Sequence, residues 1–382
     1  MKKFNGEQLR KARVYRGYTV GELAELLGCQ RQTISMYENG KSTPGDISVV
    51  FNISRVLNFP PQFFSEDGVK LDEGSTYFRA LLTTNKKYRN QQEQKLEFLA
   101  SIYSFIQEYV HFPKVDLPKF SDGVSPEEAA YVLRKHWRLG DAPISNLIYT
   151  VEEHGIIVTS FVTDTDDVDA FSKMIRINEE NRYFIGYSRN KTSAARIHFD
   201  VAHELGHICL HDWNEDIESL SKDEFKEREN QANRFAAAFL LPKYSFSADV
   251  VIDPNSLPYY KHLKQKWKVS MAAMIRRAYN LQIIDSDAYQ YLVRTMQRRS
   301  IWKNEPLDDI LITSEPSLLK ISVIMLLNEK VFTAKEFIDE LSFNFGLSLY
   351  SEEIEHLLYL PENTLKLDRV LTSPKIINRG NT

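Results

Sequence analysis

Residues 6–59 carry their apolar positions in short helical periods joined by small connectors, with no alternating run between them, which predicts four or five short helices. Thr19 stands before Val20-Gly21-Glu22-Leu23-Ala24-Glu25-Leu26-Leu27, and Glu22 completes a capping-box pattern at the start of the second helix. Gly28 ends that helix and supplies a tight turn. Gln30 to Glu38 reads as a third helix closed by Asn39-Gly40, and Pro44 marks the loop before the fourth. Residues 65–90 are polar and mostly loop-like, which predicts a linker. From about Tyr88 the period is helical again, with Leu96, Leu99, Ile102, Tyr103, Ile106 and Tyr109 on one stripe. Ser125 before Pro126 is an N-cap that opens a helix to His136, where the larger body begins.

Three short β-rich runs follow, Gly155 to Val162, Ala170 to Asn178 and Tyr183 to Ser188, and their spacing predicts an antiparallel meander. Residues 193–212 and 224–241 then read as helices, the second stopped by Pro242. In 257–285, with Ser270 as a cap, the pattern of a second helix-turn-helix is better read as a helical subdomain that packs on the larger body or shapes its groove. The expected class is α+β, mainly helical. It comprises an all-α head at 1–65, a linker and connecting helix at 66–124, a body at 125–300 with a small antiparallel sheet, and a helical C-terminal module of illegible role at 301–382.

Composition narrows the picture. The chain has 382 residues, too many for one ordinary domain, and its 43% hydrophobic and 26% charged content is that of a globular protein. No apolar run approaches the roughly 18 residues needed to span a bilayer, and no signal-peptide pattern opens the chain, so the expected location is the cytoplasm. Cys29 and Cys209 make neither a disulfide framework nor a CxxC site, which suits a reducing compartment. The net charge of −4 hides an asymmetry: residues 1–65 hold nine Lys/Arg against five Asp/Glu. A basic head on an acidic body hints at nucleic acid.

The sharpest chemical signal is His203-Glu204-Leu205-Gly206-His207. Helical residues four apart lie one turn apart on one face, so the two imidazoles can share one ion, and Glu204 stands beside them as a general base for hydrolysis. A catalytic zinc needs a third protein ligand and an open position. Glu229 on the following helix is the candidate, with Glu215, Glu218 and Glu227 as rivals. Asn233, one turn after Glu229, can orient a ligating histidine. His211 is read as structural or supporting, and Cys209 as a buried small residue. Small Ala236 and Ala237 allow the two helices to approach.

These residues resemble the ImmA/IrrE family of metallopeptidases, on Arg196 to Ala202 leading into the HExxH, His211 after it, and Glu229…Ala232-Asn233-Arg234-Phe235-Ala236-Ala237 ending in Leu240-Leu241-Pro242. The first 60 residues resemble the XRE (Cro/CI-like) helix-turn-helix. The resemblance implies one Zn²⁺ per chain on His203, His207 and Glu229, Glu204 as catalytic base, and a helix-turn-helix repressor as substrate. Gln231 departs from the pattern, since members often carry a glutamate there. In such a head, Gln30, Arg31, Gln32 and Ser35 face base edges of double-stranded DNA, while Thr19 and Asn39 or Lys41 touch its backbone. A homodimer is expected on a two-fold site. The leading expectation is therefore a DNA-bound regulator that cleaves a repressor or itself. The alternative is a transcription factor, or an antitoxin-like protein, whose zincin fold senses a ligand and cuts nothing. An extended substrate would dock as a strand added to the meander.

Overall fold

The computed structural model describes residues 3–68, 72–78 as backbone, 86–161, 170–190, 193–213, 215 and 219–366. The head comprises α1 (Gly6–Tyr15), α2 (Val20–Leu26), α3 (Arg31–Glu38) and α4 (Ile47–Leu57), followed by a 3-10 turn over Pro61–Ser65. Thr19 and Glu22 form the reciprocal capping box, and Asn39 Nδ2 donates to the Ser35 carbonyl at 2.7 Å to close α3. Leu9, Ala12, Leu23, Ile34, Ile53 and Leu57 make the centre of the head. Gly6 is required there: a Cβ would lie 2.0 Å from the Tyr37 carbonyl oxygen, so α1 and the end of α3 meet backbone to backbone.

The chain continues through β1 (Asp72–Phe78), α5 (Lys86–Ile106), α6 (Pro126–His136), α7 (Leu147–Glu153), β2 (Ile157–Phe161), β3 (Ala170–Ile177) and β4 (Glu180–Ser188). β3 and β4 form a hairpin whose two turn residues, Asn178 and Glu179, have φ of 50° and 65°, as a type I′ turn demands. The sheet order is β1-β3-β4-β2, with β2 parallel to β4, so the sheet is mixed and the expected antiparallel meander is corrected. Alternation of apolar side chains assigns faces to a strand but not neighbours, and the tight hairpin puts β4 between β3 and β2. The stretch read as a linker also holds an element: β1 pairs antiparallel with β3, Tyr77 opposite Ser172. Asp72-Glu73-Gly74-Ser75 has no apolar alternation, as a strand recruited by backbone pairing at an edge need not.

After the sheet come α8 (Ala194–Leu210), α9 (Lys222–Leu240), α10 (Lys243–Val250), α11 (Leu257–Trp267), α12 (Met271–Asn280), α13 (Ser286–Arg298), α14 (Leu318–Asn328), α15 (Ala334–Phe343) and α16 (Ser351–Leu358). The sheet separates two cores, and strand alternation sorts its side chains between them. Val158, Met174, Ile185 and Tyr187 join α6 to α9 and α11 to α13 on one side. Ile157, Phe161, Phe171, Ile175, Ile177 and Phe184 join α5, the head and α14 to α16 on the other. The 257–285 segment thus packs on the larger body, as expected, while residues 318–365 complete the second core.

Side chains lock the late segment to the HExxH helix. Buried Lys264 pairs with Glu305 at 2.8 Å and Asp308 at 2.6 Å, and Asp308 accepts from Ser193, the N-cap residue of α8, at 2.6 Å. His198 of α8 meets Thr313 Oγ1 at 2.8 Å. Glu152 caps α14 through the Ser317 and Leu318 amides at 3.1 and 3.2 Å.

Candidate metal centre and nucleic-acid interface

α8 and α9 bring the chemistry together. Gly206 faces Ala232, and a Cβ on it would stand 3.1 Å from the Phe235 ring and 3.2 Å from the Ala232 backbone, so this glycine sets the helix separation. Ala236 is fully buried near it, whereas Ala237 is half-buried. Across the gap, His203 and His207 turn their Nε2 atoms to within 3.0 Å of each other. Glu229 places Oε2 3.3 Å from His203 Nε2 and Oε1 3.2 Å from His207 Nε2. Among the described residues, His203, His207 and Glu229 are the group whose ligand atoms converge, all within 4.8 Å.

Hydrogen bonds behind the rings decide what those nitrogens offer. His203 Nδ1 lies 3.1 Å from Asn233 Oδ1, an acceptor, so Nδ1 carries the proton and Nε2 the lone pair. His211 Nε2 lies 3.2 Å from Gln231 Oε1, another acceptor, and its Nδ1 meets His207 Nδ1 at 2.9 Å. Burial and then His207 push His211 down to about 3, so His211 is neutral: it donates from Nε2, accepts at Nδ1, and leaves His207 with its lone pair on Nε2. Two lone pairs and a carboxylate therefore face one point. The cluster can be satisfied by protonating an imidazole, and the two imidazoles outweigh burial to hold Glu229 at about 2. An imidazolium here, however, would be a charge on a ring with no exposed surface. A divalent cation satisfies all three groups, and two neutral imidazoles with one carboxylate suit zinc rather than calcium or magnesium.

Glu204, which follows His203 on α8, is fully buried, and Ser172 Oγ of β3 donates to its Oε2 at 2.5 Å. Ser172 escaped the sequence reading; it lies in the run Ala170-Phe171-Ser172-Lys173-Met174-Ile175, where the adjacent Lys173 makes a hydroxyl unremarkable. Gln231 is placed as the acceptor for His211, which accounts for glutamine at that position. Of the rival carboxylates, Glu215 pairs with Arg228, Glu227 is exposed, and Glu218 lies outside the described residues. Cys209 is buried away from the cluster, and burial pushes its thiol up. The strand beside Glu204 is β3, flanked by β1 and β4, so the expected added substrate strand has no free lane on it.

Residues 151–279 match the model of the IrrE N-terminal-like domain, and residues 9–64 match a helix-turn-helix model. The chain joins an XRE-type helix-turn-helix to an IrrE/ImmA-like domain. It is 25% identical over 170 residues to a putative HTH-type transcriptional regulatory protein of Thermoplasma acidophilum, a match covering 38% of this chain and 53% of that protein. It is 36% identical over 58 residues to an SPbeta prophage-derived uncharacterized HTH-type transcriptional regulator of Bacillus subtilis, covering 15% of this chain and 53% of that protein. The chain thus spans about half the length of these curated relatives.

In the helix-turn-helix, Gln30 is the N-cap of α3, and with Arg31 and Gln32 it is exposed, while Ser35 is half-buried. Thr19, Asn39 and Lys41 are exposed around this end. Arg13 is committed to Glu38 at 2.5 Å and Lys87 to Glu22 at 2.8 Å, whereas Arg31 and Lys41 have no carboxylate partner among the described residues. The Asn39 amide donates to the Ser35 carbonyl and so closes α3.

Proposed function

We propose that this protein is a DNA-binding transcriptional regulator whose IrrE/ImmA-like domain is a zinc endopeptidase acting on a helix-turn-helix repressor, or on a copy of itself. The observation that carries this reading is the convergence of two imidazole lone pairs and Glu229, with a buried carboxylate, Glu204, beside them. His203, His207 and Glu229 would hold the ion, which when bound supplies Lewis acidity for water and for a scissile carbonyl. Asn233 and His211 fix the tautomers of the ligating rings. Glu204 takes the proton of the attacking water on its carboxylate and returns it to the leaving amine, and Ser172 holds that carboxylate in place. The helix-turn-helix would read double-stranded DNA through Gln30, Arg31, Gln32 and Ser35, with Thr19, Asn39 and Lys41 near phosphates, as a homodimer on a two-fold site. No helix among the described residues is long and apolar enough to cross a membrane.

Burial favours a second reading. His203, Glu204 and His207 expose no surface, and only Glu229 of this set reaches solvent, which suits a domain that senses a ligand without cutting. The two readings part on Glu204, which sensing does not need. Zinc-loaded protein incubated with helix-turn-helix repressors encoded beside its gene should cut one of them, and Glu204→Gln should abolish the cut while retaining zinc. Cleavage unchanged in Glu204→Gln would overturn the mechanism.

A further inference from the structure

A cleft of about 830 Å³ lies between α9 and α12 and is also lined by the start of α6 and by Phe199 of α8. Each long helix gives it one face, spaced i, i+3, i+4, i+7: Asn230 to Ala237 on α9 and Ala273 to Asn280 on α12. The cleft adjoins the metal cluster. Asn233 both lines it and orients His203, and Asn230 follows Glu229, the cluster member that reaches solvent.

Its charge is uneven. Arg277 is committed to Glu127 through two contacts of 2.7 and 2.5 Å, so that pair is neutral. Arg234 and Arg276 have no carboxylate partner among the described residues. Arg276 is held in place by the Tyr289 hydroxyl at 3.2 Å and by the Tyr279 and Tyr289 rings, 5.8 and 5.5 Å from its guanidinium. Two unpaired guanidinium groups therefore face a cleft beside the cluster, in a chain of net charge −4.

We propose that this cleft takes an acidic side chain, aspartate or glutamate, of an extended peptide whose backbone passes the metal cluster. This rests on the endopeptidase reading for its choice of occupant. Arg234 and Arg276 bind the carboxylate, the planar fork of each offering paired donors. Small Ala237 and Ala273 leave the peptide room between the helices. The adjoining site offers chemistry for an amide bond, so a peptide fits better than a nucleic acid.

The test uses the full chain as Glu204→Gln loaded with zinc, so that nothing is cut. Fluorescein-labelled dodecapeptides of Ala, Val and Thr, with one Glu, Gln or Lys moved along the sequence, are titrated by anisotropy. At one register the Glu peptide should bind about tenfold tighter than its Gln counterpart, the low end for charge-assisted pairs because both arginines are exposed. Arg234→Glu and Arg276→Glu together should reverse the preference towards Lys, with an unchanged circular dichroism spectrum. Equal affinity for Glu and Gln peptides at every register, absence of binding included, overturns the proposal, as does a Glu preference that survives both charge reversals. The readout needs no turnover, so charge selection in a protein that cuts no repressor would remove the endopeptidase reading alone. Cleavage without charge selection would remove the cleft alone.

Discussion

Removing the Asn233 amide tests the tautomer argument on which the metal centre depends. In Asn233→Ala, His203 Nδ1 loses an acceptor at 3.1 Å, and the ring becomes free to rotate or to carry its proton on Nε2, which abolishes the lone pair that faces the cluster. A bond of this length between neutral groups is worth about 1 kcal/mol, and losing a group that orients a ligating histidine costs roughly 10–100-fold in metal affinity. The expected loss for Asn233→Ala is therefore near the lower figure, about tenfold. His211→Ala should cost more, because its 2.9 Å bond to His207 is shorter and its loss also strands Gln231 Oε1. Asn233→Asp retains an acceptor of greater strength and should bind zinc at least as tightly as wild type. Competition against a chromophoric zinc chelator, at fixed pH with full-length protein, measures all three. Zinc affinity of Asn233→Ala within twofold of wild type, with His203→Ala strongly impaired, would refute the claim that Asn233 fixes the ring.

Other perturbations reach other levels of the structure. Gly206→Ala puts a methyl 3.2 Å from the Ala232 backbone, which side-chain motion cannot relieve, so α9 should shift by a few tenths of an ångström and carry Glu229 with it. The expected cost is about 1–3 kcal/mol of stability in thermal unfolding, with a larger proportional loss of zinc affinity. Burial pushes Glu152 from its ordinary 4.5 up to about 7, against opposing bonds from Leu318 and Ser317. A raised carboxyl contributes stability that is complete below pH 4.5 and is lost as pH rises through 7, so wild type should gain on Glu152→Gln by up to roughly 3 kcal/mol as pH falls across that window. Arg31→Ala should lose about 1–3 kcal/mol on the preferred operator and relax its sequence, whereas Lys41→Ala should weaken all sequences alike and reduce the salt slope by about one in filter-binding or anisotropy titrations.

Legibility followed the range of the forces involved. The capping box at Thr19 and Glu22, the cap at Ser125 and the HExxH face are local, one or two helical turns long, and the sequence reading of each agrees with the structure. The one-turn spacing of Glu229 and Asn233 on α9 is local in the same way, and both lie against His203. Ser172 was not, since its meeting with Glu204 joins a strand to a helix 32 residues away. Strand neighbours failed for the same reason: alternation recorded which way Phe171 and Ser172 point, while hairpin closure at Asn178-Glu179 decided that β4 lies between β3 and β2. The C-terminal segment reads as a further small helical module because its apolar periods, such as 318–327 and 334–341, are visible locally. It is tied to the rest by the second core, through residues such as Leu319, Val323 and Phe337, and by long-range pairs such as Arg189 with Tyr359 and Arg16 with Glu353.

Those ties bear on whether the chain is modular. β3 presents Ser172 to Glu204 on one face and the neighbouring Lys173 to Glu97 of α5 on the other, at 3.8 Å. α5 in turn packs on the head, where Tyr15 and Phe98 stack with ring centroids 5.0 Å apart. An IrrE/ImmA-like piece excised at residue 125 would lose β1 and α5 and bare one side of Ile157, Phe161, Phe171, Ile175, Ile177 and Phe184, all at most 5% exposed in the full chain. At roughly 1.5–3 kcal/mol for each large side chain, an upper bound against a compact unfolded state, the loss is on the order of 10 kcal/mol. That equals the whole stability of a typical domain, about 5–15 kcal/mol. The motif boundary seen in the sequence thus cuts through a core that holds residues from the head to α16. Glu204 of the HExxH segment is held by the same strand whose other face is covered by the helix under the helix-turn-helix head.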